Sequence, residues 1–255
     1  VESAIGTIDP ANANAAFSDA FARVWHGDAE NDGFNRLVLG AGLDWRQVSM
    51  LRGYCKYLLQ IGVPFSQAYV EGTFNRYPLL ARLIVELFEA RFEPTPSADK
   101  AVLDAQLAQF KLLAGDDAAT LKLLEGVVKA RKSDRDARMA LVHEVLVKLL
   151  DGVSSLDEDR ILRSFIGVIE ATLRTSYYLV RKDGVRADGG PADYISFKFD
   201  AAKVPDLPKP RPYREIFVYG PRVEGTHLRF GPVARGGLRW SDRREDFRTE
   251  VLGLV

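Results

Sequence analysis

The sequence predicts a mainly α-helical N-terminal region followed by an incomplete α/β, mixed-sheet unit. Two observations carry this. Through about residue 180, apolar side chains recur at helical spacing between recognisable caps and stops. From Tyr194 onward, short runs alternate or become wholly apolar, separated by prolines and glycines, as strands do.

Asp9-Pro10 reads as an N-cap followed by proline at the first helical position, ahead of Phe17, Ala20, Phe21 and Val24. From Leu43 to Ile61 the stripe is Trp45, Val48, Leu51, Tyr54, Leu58 and Ile61, stopped by Gly62 and Pro64. Leu80, Leu83, Ile84, Leu87 and Phe88 form the next stripe. Phe92 to Ser97 then makes a stop and short linker, with Ser97 as the expected N-cap of the next helix. Leu103, Leu107 and Phe110, then Leu121, Leu124 and Val128, give two helices around Gly115-Asp116-Asp117. Ser133 is expected to cap a helix carrying Val142, Val145, Leu146, Leu149 and Leu150. Ser155 to Glu158 has the form of a capping box, opening a helix with Ile161, Leu162, Phe165, Val168, Ile169 and Leu173 on one face.

The character then changes. Arg181 to Asp193 is polar and glycine-rich, a loop. Ile195, Phe197 and Phe199 alternate with Tyr194, Ser196 and Lys198 as in a half-buried strand. Ala201 to Pro212 holds four prolines and reads as an extended linker. Glu215 to Tyr219 is apolar on both faces, like a central strand. A turn at Glu224-Gly225 leads to a strand over Thr226 to Phe230, then a glycine-rich loop, then a helix from Glu245. The expected domains are thus 1–180, helical, as two blocks meeting near 93–97, and 181–255, the truncated start of a second domain.

Composition bounds the function. There are 35 basic and 35 acidic side chains, so no global field selects nucleic acid or an anionic membrane. The single cysteine, Cys55, excludes an internal disulfide and sits in an apolar stretch as a buried thiol would. No run approaches the ~18 apolar residues of a membrane span, and Val1 to Asp9 does not read as a signal peptide. A cytoplasmic protein is expected. The chain lacks an initial Met and stops inside an amphipathic run (Phe247, Val251, Leu252, Val255), as expected of a piece of a longer protein.

Chemistry concentrates between Val218 and Ser241, which hold Arg222, Arg229, Arg235 and Arg239, with Gly236-Gly237 beside one of them. From Pro205 to Glu250, nine Arg and one Lys face seven carboxylates. Guanidinium forks suit carboxylate or phosphate, and adjacent glycines let a ligand approach the backbone. The alternative is a tight turn whose arginines pair with Asp242, Glu245 and Asp246. Other motifs fail. Gly231 to Gly237 mimics the front of a P-loop, but Gly237 stands where its lysine should be. No GxGxxG or GxSxG occurs. His26, His143 and His227 lack partners at metal-ligand spacing.

The stretch from Val233 to Leu254, VARGGLRWSDRREDFRTEVLGL, with Phe217-Val218-Tyr219 and Pro221 to Gly225 leading into it, is similar to the opening of the catalytic core of large bacterial-type NAD-specific glutamate dehydrogenases. Glu30 to Val38 (ENDGFNRLV), Asp157 to Arg163 (DEDRILR) and Ala171 to Thr175 (ATLRT) also resemble that family, so the likeness covers essentially the whole chain. It implies oxidative deamination of L-glutamate to 2-oxoglutarate and ammonia with NAD as hydride acceptor, within glutamate catabolism. In the smaller hexameric glutamate dehydrogenases a lysine precedes the matching glycine pair and holds a substrate carboxylate; here that position is Arg235. Gly236, Gly237 and Arg239 match residue by residue, and Arg222 is a further substrate-binding candidate. The resemblance places the catalytic lysine and the NAD-binding domain downstream of Val255, so the piece alone is expected to be inactive. It also implies a homo-oligomer whose helical region serves assembly or regulation. The competing reading is a helical interaction module with an anion-binding loop, which the aromatics among the arginines (Phe230, Trp240, Phe247) would suit.

Overall fold

The computed structural model describes residues 2–3, 6–7, 10–179, 194–231, 233–239 and 246–254. The polar loop expected over Arg181 to Asp193 and the helix start expected at Glu245 lie outside these residues. A short hairpin of β1 (Glu2–Ser3) and β2 (Gly6–Thr7) precedes helix α1 (Pro10–Trp25). A 3-10 turn at Gly33–Arg36 leads into α2 (Leu37–Gly40), α3 (Trp45–Gln60), α4 (Gln67–Arg76) and α5 (Pro78–Phe92). Then come α6 (Lys100–Ala114), α7 (Ala118–Lys129), α8 (Arg135–Leu150) and α9 (Leu156–Ala171). Strands β3 (Thr172–Thr175), β4 (Ile195–Phe199), β5 (Arg214–Gly220), β6 (Val223–Phe230) and β7 (Val233–Arg239) follow, and α10 (Phe247–Leu252) is the last element. The helical region followed by a sheet is the predicted class. The chain divides into two compact units: residues 1–22, 33–48 and 71–162, and residues 23–32, 49–70 and 163–255.

In the first unit α5 is the central helix. Pro78 starts it, where a missing N–H costs nothing. Ten of its side chains are buried, among them Leu83, Ile84, Leu87 and Phe88, and it packs on α8 through Val142, Val145 and Leu146. The buried set also includes Arg82 and Glu86, which must find partners inside. Glu86 accepts from Arg138 at 2.7 Å and Gln106 at 2.5 Å, and Glu93 accepts from Arg131 at 2.8 Å and Arg138 at 3.2 Å. Burial raises the Glu89 carboxyl above its ordinary range, against the pull of Arg82.

Three expected caps differ. Asp99 and Asp134, not Ser97 and Ser133, cap α6 and α8, their carboxylates accepting from Ala101 N and Ala137 N at 2.9 Å. In each case Asp stands immediately before the helix, and a carboxylate there also suits the positive end of the helix dipole. At α9 only half of the capping box forms. Ser155 Oγ accepts from Glu158 N at 3.5 Å, while the buried Glu158 carboxylate turns to the Tyr77 hydroxyl (2.9 Å) and to Arg76.

The second unit is built on a five-stranded antiparallel sheet in the order β3-β4-β5-β6-β7. Its inner face carries Phe197, Phe199, Phe217, Tyr219 and Leu228, all buried, as period-2 alternation requires. Residues 49–60 of α3 cover that face: the Tyr54 ring lies 4.3 Å from Phe197 and the Tyr57 ring 4.1 Å from Phe199. β5 is the central strand, as its composition predicts.

Four sequence expectations for this region are corrected. Leu173 ends no helical stripe. Helix α9 stops at Ala171, Thr172 bonds back to Val168 O (2.7 Å), and Leu173 falls at a bulge in β3. Ala201 to Pro212 is not extended. It folds into turns because Ala201, Val204 and Leu207 are buried. The β5–β6 turn is Pro221-Arg222, since Gly220 already pairs with Val223. The glycine-rich segment at 233–239 is a strand, not a loop: every residue from Val233 to Arg239 has a partner on β6.

Candidate functional site

β7 is the last strand in the sheet order, so one of its edges pairs with β6 and the other has no strand beside it among the described residues. Alternate backbone N–H groups of an edge strand point outward from the ladder. Arg235, Gly237 and Arg239 lie on the inner face, opposite Leu228, Thr226 and Glu224. Gly236 lies on the outer face opposite His227.

The two glycines have different reasons to be there. A Cβ on Gly236 would stand 2.6 Å from the Thr226 carbonyl oxygen and 2.9 Å from His227 Cα, so the strands close over this position. A Cβ on Gly237 would meet the Phe247 ring at 3.7 Å, an ordinary contact, and nothing nearer among the described residues. Gly236→Ala is therefore expected to cost about 1–3 kcal/mol of stability by forcing β6 and β7 apart. Gly237→Ala is expected to leave the fold unchanged, so any loss of ligand affinity in it reports crowding of the ligand. Urea unfolding of both variants checks this. Equal stabilities would show that strand spacing does not select Gly236.

The arginines are placed unequally. Arg235 is exposed, and its Nη1 donates to the Ala234 carbonyl at 2.9 Å; among the described residues it makes no ion pair. Arg239 is tied down by Glu250 of α10 at 2.5 Å, and its guanidinium lies 5.6 Å from the centre of the Phe247 ring. Of the pairing expected with Asp242, Glu245 and Asp246, the first two residues lie outside the described ones. Arg222 is exposed in the β5–β6 turn, its Nη2 3.2 Å from where a Cβ on Gly27 would stand. Arg239 and Arg222 share one end of the β6–β7 pair. Arg235 is four residues from Arg239 along β7, about 13 Å at the rise of a strand. The structure thus brings Arg235 and Gly237 together on one face with Arg239 at its end, and turns Gly236 away.

Sequence reasoning missed what sits under this strand. Helix α10 packs Phe247 and Val251 on Leu228. It is pinned by Arg248, whose Nε and Nη2 donate to the two oxygens of Glu215 at 2.7 and 3.2 Å, both residues buried. Gln60 accepts from Arg248 N (2.8 Å) and donates to Glu224 (3.2 Å). Burial raises the Glu215 carboxyl, and the Arg248 fork pulls it back only in part. Burial, with the Glu215 charge adding to it, pushes the Tyr57 phenol well up. A signal was present. A lone carboxylate in the apolar strand Glu215 to Tyr219 requires a buried cation.

The Glu30 to Asp32 stretch also enters this unit. Asp32 accepts from both Nε (2.6 Å) and Nη2 (2.8 Å) of the fully buried Arg52, and Glu30 accepts from the Tyr219 hydroxyl at 3.1 Å. This network fastens residues 23–32 to α3 and β5 and is structural in kind.

No group of three or more His, Cys, Asp or Glu among the described residues could hold a metal ion. Nor do those residues fit a dinucleotide. Every ladder among them is antiparallel, and the βαβ unit that presents a pyrophosphate to a helix N-terminus is not found there. No helix among them is long and apolar enough to cross a membrane.

Residues 145–255 match the family model described as bacterial NAD-glutamate dehydrogenase, catalytic domain, and residues 29–94 match glutamate dehydrogenase, helical motif 3. The chain is 46% identical over 239 residues to the NAD-specific glutamate dehydrogenase of Mycobacterium tuberculosis, covering 94% of this chain and 12% of that protein. With the enzyme of the same name from Halomonas elongata identity is 45%, over 94% of this chain and 12% of the relative. With that from Pseudomonas aeruginosa it is 44%, over 97% and 13%. The chain therefore spans about one eighth of the length of these relatives.

Proposed function

We propose that this chain, which belongs to the bacterial NAD-specific glutamate dehydrogenase family, supplies the carboxylate-recognising strand of an enzyme that oxidatively deaminates L-glutamate to 2-oxoglutarate and ammonia. The observation that carries the reading is Arg235. It is an exposed guanidinium with no carboxylate partner among the described residues, on the last strand of the described sheet, two positions from a residue without a side chain on the same face. Its fork can take both oxygens of one carboxylate. Gly237 adds no side chain over the strand, and Gly236 keeps β7 close on β6. Arg239, held by Glu250, orders the end of the strand. Arg222 adds a second exposed cation at that end.

In this reading the proton-transferring lysine and the NAD site belong to parts of the longer protein outside this sequence, and no step of hydride transfer is assigned to these residues. The helical residues before 145 that do not pack with the sheet serve assembly and regulation in a cytoplasmic homo-oligomer, and the strands from residue 181 onward belong to the substrate-binding domain.

Arg235→Ala, made in the full-length enzyme, is expected to lower kcat/KM for glutamate by about 30- to 1000-fold, as loss of a charge-assisted bidentate contact does. Arg235→Lys should recover part of this, since charge remains but the fork is lost. Steady-state kinetics of the three proteins is the measurement. An Arg235→Ala enzyme within twofold of wild type would remove Arg235 from the site.

A further inference from the structure

We propose that Thr226, on β6, is a second carboxylate-binding residue of this site, donating its hydroxyl to the same substrate carboxylate that Arg235 holds. The inference rests on the reading of Arg235 just given and adds a residue that neither the resemblance nor the glycine pattern marks.

Thr226 is buried, 3% exposed, and its Oγ1 has no hydrogen-bond partner among the described residues. An unpaired hydroxyl inside a protein costs on the order of 1–3 kcal/mol, so its place in the fold calls for a reason. The place is specific. Thr226 lies directly opposite Gly237, so the position facing it across the strands carries no side chain. It is also the diagonal neighbour of Arg235 on the same face, a separation of about 7–8 Å that a long side chain spans. A carboxylate lying over Gly237 would have the Arg235 guanidinium on one side and the Thr226 hydroxyl beneath it.

The other polar side chain on the inner face of β6 is engaged elsewhere, Glu224 accepting from Gln60. Leu228 is committed to the apolar cluster with Phe247 and Val251. Of the inner-face side chains that β6 sets opposite β7, only Thr226 is both neutral and able to donate. Phe247 closes the space, its ring edge 3.7 Å from where a Gly237 Cβ would stand. Binding there requires that ring to move aside, and the hydroxyl would then exchange an unsatisfied state for a charge-assisted bond.

The test uses Thr226→Val and Thr226→Ser in the full-length enzyme, with Arg235→Ala as reference. Three quantities are read: KM and kcat for glutamate, affinity for 2-oxoglutarate by calorimetry, and the thermal midpoint. Valine keeps the shape and removes a hydroxyl with no protein partner, so the midpoint should hold or rise while KM increases by about tenfold or more. Serine restores the donor and should stay within about threefold of wild type, since only a methyl group is lost. Thr226→Val within twofold of wild type, with Arg235→Ala impaired, overturns the role of Thr226 and leaves the site standing. Both variants unimpaired overturn the site itself. A lowered midpoint in Thr226→Val shows that the hydroxyl has a structural partner, and the premise fails.

Discussion

Arg138→Ala is expected to destabilise the protein by about 3–5 kcal/mol, the range for removing one partner of a buried ion pair. Arg138 is 2% exposed and Glu86 is fully buried, with Nη2 and Oε1 2.7 Å apart. Arg131 lies 3.6 Å from Glu86 and Gln106 donates to it, so its charge would not be wholly abandoned. Glu93 loses a 3.2 Å contact in the same substitution. Pairing Arg138→Met with Glu86→Leu should recover most of the loss, because two apolar side chains need no counter-charge. Urea unfolding of the single and double variants is the measurement. A single variant within about 1 kcal/mol of wild type would mean the buried charges are solvated in a way their burial does not suggest.

Arg248→Leu is expected to cost a similar amount, about 3–5 kcal/mol at neutral pH, by leaving the Glu215 carboxylate alone under the sheet. The cost carries a pH signature. Burial already places the Glu215 carboxyl above its ordinary value, and without the guanidinium it must rise further. A carboxyl whose folded pKa exceeds its unfolded one binds more protons when folded, so its penalty grows as pH rises through that interval and is relieved as pH falls. The deficit of Arg248→Leu relative to wild type should therefore shrink between pH 7.5 and 5.5. A deficit that is constant across that range would point to lost packing, since the guanidinium stem also fills space.

The first of these pairs shows how far the sequence could be read. Glu86 and Glu93 are seven residues apart, about two turns along α5 and its cap, whereas Arg131 and Arg138, also seven apart, are separated by the non-helical Ser133 and Asp134. That spacing is visible, but which helices face each other is not, so the pairing waits on the tertiary structure. Arg52 and Asp32 offer no spacing at all, since their contact arises from the return of residues 23–32 to the face of α3.

The strands were readable where burial is one-sided. Ile195, Phe197 and Phe199 alternate because the sheet has an inner face, and β4 falls where the alternation lies. β7 was not readable, because Gly236-Gly237 carries the local signature of a turn while the pairing with β6 is a non-local demand. Likewise the arginines could be picked out but not ranked. Whether a guanidinium is exposed, as at Arg235, or held, as at Arg239, depends on α10, which arrives from further along the chain.

The position of β7 at the rim of the sheet bears on how such an enzyme can change over evolutionary time. A residue on β5 is held by ladders on both sides, so a substitution there disturbs two neighbours and the packing on α3. A residue on β7 answers to one ladder only among the described residues. Under the proposed role of Arg235, recognition on such a strand can drift toward a different acid by changes at that exposed position, while the strands beneath retain their register. Gly236 is the exception, fixed by the closeness of its neighbour, and it marks the boundary between what selection for a substrate can alter and what the fold will not release.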